Sequence, residues 1–182
     1  MTDLVAHLES FGDRQALVTD SGELTYRTLA HRVAVAADAY GRGRRLALIR
    51  ARNELGTLVP YLGALAGRHV ALVVPPERDV SAIIDTYRPD AVVDRDGRIT
   101  TTAAPSAPPL HDDLALLLST SGSTGSPKLV RLSREHLTSN AESIAEYLQS
   151  PTVTAHQPLC PCRIATAFPS CTATCCVARA CC

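Results

Sequence analysis

Over the first 148 positions, apolar residues form short continuous runs that alternate with stripes at helical spacing. Gln15-Ala-Leu-Val-Thr-Asp followed by Ser21-Gly-Glu-Leu-Thr predicts a hairpin turning at Ser21-Gly22. Leu29, Val33, Ala36, Ala37 and Tyr40 then recur as one face of a helix, with Thr25 as its N-cap and Gly41-Arg-Gly as its stop. Arg45-Leu-Ala-Leu-Ile-Arg predicts a strand. Asn53 precedes the stripe Leu55, Leu58, Val59, Leu62 and Leu65, a helix that ends at Gly67. His69-Val-Ala-Leu-Val-Val is a second strand of this unit, closed by Pro75-Pro76, because proline cannot continue the ladder. Val80, Ile83, Ile84 and Tyr87 make the next stripe before Pro89, and Ala91-Val-Val-Asp the next short strand.

Thr100 to Pro109 carries proline and alanine but no large apolar residue and reads as a loop. Leu114-Ala-Leu-Leu-Leu-Ser is a continuous apolar run, the mark of a strand covered on both faces. A Gly/Ser/Thr loop follows from Ser119 to Lys128. Leu129-Val-Arg-Leu predicts another strand, and Ser133 caps an amphipathic helix through Leu137, Ile144, Ala145 and Leu148. Strands alternating with helices imply an α/β class with a mostly parallel sheet and flanking helices.

Composition narrows the function. Eighteen Lys+Arg balance 18 Asp+Glu, so no basic surface for a nucleic-acid partner is indicated. No apolar run reaches the roughly 18 residues of a membrane span. Met1-Thr-Asp-Leu opens without the basic and apolar segments of an export signal, which leaves a cytoplasmic protein as the expectation.

The chemistry concentrates in Leu117-Leu-Ser-Thr-Ser-Gly-Ser-Thr-Gly-Ser-Pro-Lys128. Gly122 and Gly125 let the backbone approach an anion, Ser119, Thr120, Ser121, Ser123 and Thr124 offer hydroxyl donors, and Lys128 a point charge. These are the parts of a polyphosphate cradle. The spacing is not that of a Walker A loop, since Ser126-Pro127 separates Gly125 from Lys128. A flexible linker has similar composition, but linkers are not bracketed by two apolar strands or ended by Pro-Lys.

At these residues the chain resembles the adenylate-forming superfamily of AMP-dependent synthetases and ligases, which includes acyl-CoA synthetases and peptide-synthetase adenylation domains. Supporting similarity runs from about Gly12 to Leu148, through Glu23-Leu-Thr-Tyr-Arg-Thr-Leu, Tyr61-Leu-Gly-Ala-Leu-Ala-Gly and Leu132-Ser-Arg-Glu-His-Leu-Thr-Ser-Asn, although Arg134 stands where histidine is usual. The resemblance implies an incomplete N-terminal subdomain of the adenylate-forming fold in residues 1–148, an AMP-binding domain in part. It also implies that Thr120, Ser121, Gly122, Ser123, Thr124, Gly125 and Lys128 hold the β- and γ-phosphates of MgATP. A carboxylic acid would attack the α-phosphate to give an acyl adenylate, which then passes to the thiol of CoA or of a carrier protein's phosphopantetheine. The superfamily's aromatic adenine motif, magnesium-binding glutamate, ribose-binding aspartate, hinge and C-terminal catalytic lysine have no counterpart in these 182 residues. A catalytically inactive, truncated chain is therefore expected, with a non-catalytic nucleotide-binding fragment or a pseudogene product as the alternatives. The run Leu114 to Leu118 is expected to lack flanking strands in such a fragment.

From Gln149 onward the chain changes character. All 7 Cys lie between Cys160 and Cys182, while all 10 Gly and all 18 acidic residues precede Gln149. Cys160-Pro-Cys162 and Cys175-Cys176 are too tight for zinc pairs, disulfides need an oxidising compartment, and Cys181-Cys182 is not a prenylation box. Reading the third base of each codon with the first two of the next explains more. It permits Tyr-Gly-Leu-Ser-Val-Leu over Ala165 to Cys171 and turns both Cys-Cys pairs into leucine. Between Cys175 and the end it permits Leu-Leu-Arg-Gly-Ala-Gly-Leu-Leu, restoring the glycine that the tail lacks. Residues 149–182 are thus expected to be a Cys-rich tail translated out of frame by a frameshift, and disordered.

Overall fold

The structure is a computed structural model that describes residues 4–19, 22–52, 54–102, 110–119 and 129–149. The expected disordered tail, residue Asn53 and most of the proline-rich loop lie outside the described residues. Contacts divide the chain into two compact units, Arg32–Arg134 and the two segments Met1–His31 and Glu135–Cys182.

The unit Arg32–Arg134 is built on a six-stranded sheet. In chain order its strands are β3 (Leu46–Arg50), β4 (Val70–Val74), β5 (Ala91–Val93), β6 (Ile99–Thr101), β7 (Leu114–Ser119) and β8 (Leu129–Ser133). The spatial order is β6-β5-β3-β4-β7-β8. β5, β3, β4 and β7 run parallel, and the outer strands β6 and β8 are antiparallel to their neighbours. The expected α/β class with a mostly parallel sheet is what the chain adopts. The apolar runs of β3 and β4 are buried along their length because each strand lies inside the sheet, with faces covered by helices.

Helix α3 (Leu55–Ala66) carries the chain from β3 to β4, and α4 (Ser81–Tyr87) carries it from β4 back past β3 to β5. Because the two crossovers move in opposite directions, right-handed connections place their helices on opposite faces of the sheet. Val80 and Ile83 of the α4 segment pack in one cluster with Leu46, Leu48, Val70, Leu72, Val74 and Leu117, which share a face by strand register. α3 ends at Gly67, as its sequence indicated, and the Gly67 N–H donates to the Gly63 carbonyl at 2.9 Å.

Two expectations need correction. Thr100 and Thr101 belong to β6 rather than to the loop that follows. They are drawn into a ladder because the turn before them is fixed. The Asp94 carboxylate accepts the N–H groups of Asp96 and Arg98, and Gly97 supplies a φ of +81°. Nor does the run Leu114–Leu118 lack flanking strands: β4 pairs with it on one side and β8 on the other, so among the described residues β8 is the end strand on that side.

The other unit contains α1 (Leu4–Ser10), the hairpin β1 (Gln15–Thr19) and β2 (Gly22–Thr25), the start of α2 (Tyr26–Ala39), and most of α5 (Arg134–Gln149). Leu8, Leu17, Leu24, Leu29 and Ala141 are buried in it. Phe11 packs on Tyr26 with ring centroids 4.8 Å apart. Thr25 caps α2 as the sequence suggested, its Oγ1 accepting the Thr28 N–H at 3.2 Å. The short helix α1 has no counterpart in the sequence reading. α5 starts immediately after Ser133.

Candidate functional site

Four parallel strands end on the same edge of the sheet, at Arg50, Val74, Val93 and Ser119. In open α/β sheets this carboxyl edge is where ligands bind, at the point where successive crossovers leave in opposite directions. Here that point lies between β3 and β4. The segment 120–128 leaves the edge from β7, the strand next to β4.

Thr120, Ser121, Gly122, Ser123, Thr124, Gly125 and Lys128 themselves lie outside the described residues. The frame that holds them is described. Ser119 at the end of β7 is the ladder partner of Leu129 at the start of β8, and Leu118 pairs with Val130. The two ends of the loop are therefore side by side, tied into an antiparallel pair. A linker between independent bodies has no such closure. The Ser119 Oγ is buried and has no hydrogen-bond partner among the described residues, an arrangement that leaves one hydroxyl donor at the root of the loop.

The neighbouring strand ends add charge and oriented backbone. After β3 the Ala51 N–H continues the ladder to the Val74 carbonyl at 2.9 Å, and the Arg52 N–H donates to the buried Thr57 hydroxyl at 3.3 Å. This contact folds the chain into the first turn of α3. Arg50 is half-buried, and Arg52 stands 3.9 Å from Glu54 at the surface. The Asp79 carboxylate accepts both the N–H and the hydroxyl of Ser81 at the start of α4, at 3.0 and 2.7 Å. Those two hydrogen bonds, with a smaller contribution from the Arg50 charge, hold the Asp79 carboxyl below the usual range. Both helix N-termini thus open towards the loop edge, where the helix dipole favours negative charge. Arg50 was not identified as a functional candidate from the sequence. Its signal was available in Arg45-Leu-Ala-Leu-Ile-Arg, a buried strand that ends on a charge.

Among the described residues, no group of three or more His, Cys, Asp or Glu stands together to hold a metal ion. No helix among them is long and apolar enough to cross a membrane.

No family model matches the chain, and no curated protein sequence matches it. Solved structures do. MatB from Rhodopseudomonas palustris aligns with a TM-score of 0.59 and 23% identity over 80% of this chain and 37% of its own. The N-terminal subdomain of Klebsiella oxytoca NpsA, solved in complex with 3-hydroxyanthranilyl-AMSN, aligns with a TM-score of 0.58 and 22% identity over 76% of this chain and 41% of its own. An arginine-to-lysine variant of E. coli MenE with bound OSB-AMS gives a TM-score of 0.61 and 20% identity over 80% of this chain and 37% of its own. The chain spans less than half the length of each. It therefore shares the fold of part of MatB, NpsA and MenE.

Proposed function

We propose that residues 1–148 are part of an adenylate-forming domain, in which the loop 117–128 holds the β- and γ-phosphates of ATP. The observation that carries this reading is one of placement. The segment with the superfamily's loop sequence joins β7 to β8 at the carboxyl edge of a sheet whose fold is that of MatB, NpsA and MenE. MatB has also been solved with ATP bound, and MenE and NpsA with OSB-AMS and AMSN compounds, which supports a nucleotide ligand for this fold.

In this reading the hydroxyls of Thr120, Ser121, Ser123 and Thr124 and the backbone N–H groups at Gly122 and Gly125 orient the terminal phosphates, and Lys128 neutralises them. Positioning and charge neutralisation are the contributions such a loop makes to attack of a carboxylate on the α-phosphate and departure of pyrophosphate. Magnesium, when bound with the nucleotide, adds charge neutralisation, and none of the described residues is assigned to it. The whole protein would be an acid–thiol ligase that passes the acyl group to CoA or to a carrier-protein thiol.

The composition seam at Gln149 favours a second statement about the 182-residue polypeptide itself. Its tail is out of frame, and it survives as a non-catalytic nucleotide-binding fragment or as the product of a pseudogene. Carboxylate-dependent exchange of pyrophosphate into ATP tests both. The protein with its reading frame restored should catalyse the exchange with at least one acid of a broad panel, and the 182-residue chain with none. Exchange by the purified 182-residue chain, abolished in its Lys128→Ala variant, would overturn the second statement. ATP failing to bind the restored protein would overturn the first.

A further inference from the structure

Strand register sets Arg50, Val74, Ser119 and Leu129 in a row along the carboxyl edge of the sheet. Arg50 pairs with Val74, Leu118 pairs with Val73 one rung below, and Ser119 pairs with Leu129. The row also shares a face. Leu48 of β3, Val74 of β4 and Leu117 of β7 lie in the cluster that holds Val80 and Ile83 of the α4 segment, and Leu129 packs against it. Alternate residues of a strand face the same way, so Arg50 and Ser119 point to the α4 side as well. Polar and apolar side chains thus alternate along the row, and Arg50 stands where the crossovers after β3 and β4 diverge and open a crevice.

Neither polar group is used within the fold. The Ser119 Oγ is buried without a hydrogen-bond partner among the described residues, a costly position for a hydroxyl unless an acceptor comes from elsewhere. The half-buried Arg50 guanidinium makes no ion pair or hydrogen bond among the described residues. Asp79 lies on the same side of the sheet, close enough to feel the Arg50 charge, but its Oδ1 already accepts both the N–H and the hydroxyl of Ser81. Arg52, two residues further along the chain, stands 3.9 Å from Glu54. Arg50 has no such counter-charge beside it.

We propose that Arg50 and Ser119 are two further contacts to the triphosphate of the nucleotide, the Arg50 guanidinium pairing with phosphoryl oxygens from the β3 side and the Ser119 hydroxyl donating to them from the β7 side. The assignment rests on a nucleotide occupying this edge. The two residues are separated by two strand spacings, about 10 Å between Cα atoms, which leaves room for an oxyanion above Val74 between the hydroxyl and an arginine side chain. Charge supplies the reason for a second cation. A triphosphate carries more negative charge than Lys128 alone can offset, and a guanidinium fork engages two phosphoryl oxygens at once.

The test is a calorimetric titration of the 182-residue chain with inorganic triphosphate, and separately with adenosine, at fixed ionic strength. Saturable binding of triphosphate is expected. Arg50→Gln should weaken it about tenfold or more, Arg50→Lys less because the charge stays, and Arg32→Gln, which removes an exposed charge of α2, not measurably. Ser119→Ala carries a signature that a packing residue would not show. The free chain should be as stable in urea or more so, since a buried hydroxyl without a partner is removed, while triphosphate binds about threefold or more weakly. An unchanged affinity in Arg50→Gln, an equal loss in Arg32→Gln, a Ser119→Ala chain that loses stability and keeps its affinity, or an effect on adenosine in place of triphosphate would each overturn the proposal. Weakening by Arg50→Gln but not by Lys128→Ala would uphold the Arg50 contact and overturn the loop reading, and the reverse would leave the loop reading standing without Arg50. No saturable binding of triphosphate would overturn both.

Discussion

Burial of His69 beside three arginines makes folding stability depend on pH. Its ring is neutral in the folded chain, with the pKa pushed down to about 4 from the ordinary 6.5. Between those values the unfolded chain binds a proton that the folded chain refuses. The stability is therefore present in full above pH 6.5 and is lost as pH falls towards 4, by roughly 3 kcal/mol when the shift is complete. Urea unfolding at pH 7 and at pH 4.5 should differ more for the native chain than for His69→Asn, which can still accept the Arg45 N–H. Equal differences would place the titration elsewhere. Lys128→Ala belongs to the same scale. In the frame-restored enzyme it should lower kcat/KM for pyrophosphate exchange about ten- to a hundredfold, and an unchanged rate would remove Lys128 from the site. The Thr25 cap was legible because it needs only its neighbours. The Arg44–Arg45–His69–Arg134 cluster was not, since it is assembled from the starts of different strands and from the segment after β8, far apart in sequence.

Elements show the same division. Each strand and helix between Gln15 and Val93 follows its own apolar period, because the sheet buries the runs and the helices bury one face. β6 was missed, since Ile99-Thr-Thr carries little apolar signal and owes its pairing to the Asp94–Gly97 turn. That turn also packs against α3 one turn before Pro60. Proline offers no N–H to the Gly56 carbonyl one turn earlier, and Gly97 packs so closely there that a Cβ on it would stand 2.3 Å from the Gly56 oxygen. Tyr40, held neutral by burial, donates its hydroxyl to the Pro60 carbonyl at 3.0 Å and pins the helix from the other side. α3 meets the end of α2 at Gly63, where an added Cβ would lie 2.7 Å from the Ala36 Cβ and 3.0 Å from its backbone. Gly63→Ala must push the two helices apart and should cost about 1 to 3 kcal/mol. Chemical denaturation reads this directly. A neutral or stabilising result, as an ordinary helical Gly→Ala change would give, would contradict the close approach.

For the whole molecule, the sequence indicated the sheet's parallel core, but not the closure of β7 by β8 on its far side. Strand order depends on which runs pair across long separations, and a local pattern does not carry that information. What the sequence does carry is the break at Gln149. The residues before it have the fold of part of MatB, NpsA and MenE, with every acidic residue and every glycine of the chain. Those after it hold 7 Cys and none of the 18 acidic residues. We propose that the change arises where the same DNA is read in a shifted frame, since the shifted reading turns both Cys-Cys pairs into leucine and permits glycine in the tail. The coding DNA decides the matter. Read one base back from a point between Leu148 and Cys160, it should continue as an open frame encoding Tyr-Gly-Leu-Ser-Val-Leu, then Leu-Leu-Arg-Gly-Ala-Gly-Leu-Leu, and beyond them further adenylate-forming motifs. Stop codons early in that frame, or an open frame without those motifs, would contradict an adenylate-forming parent interrupted at this seam.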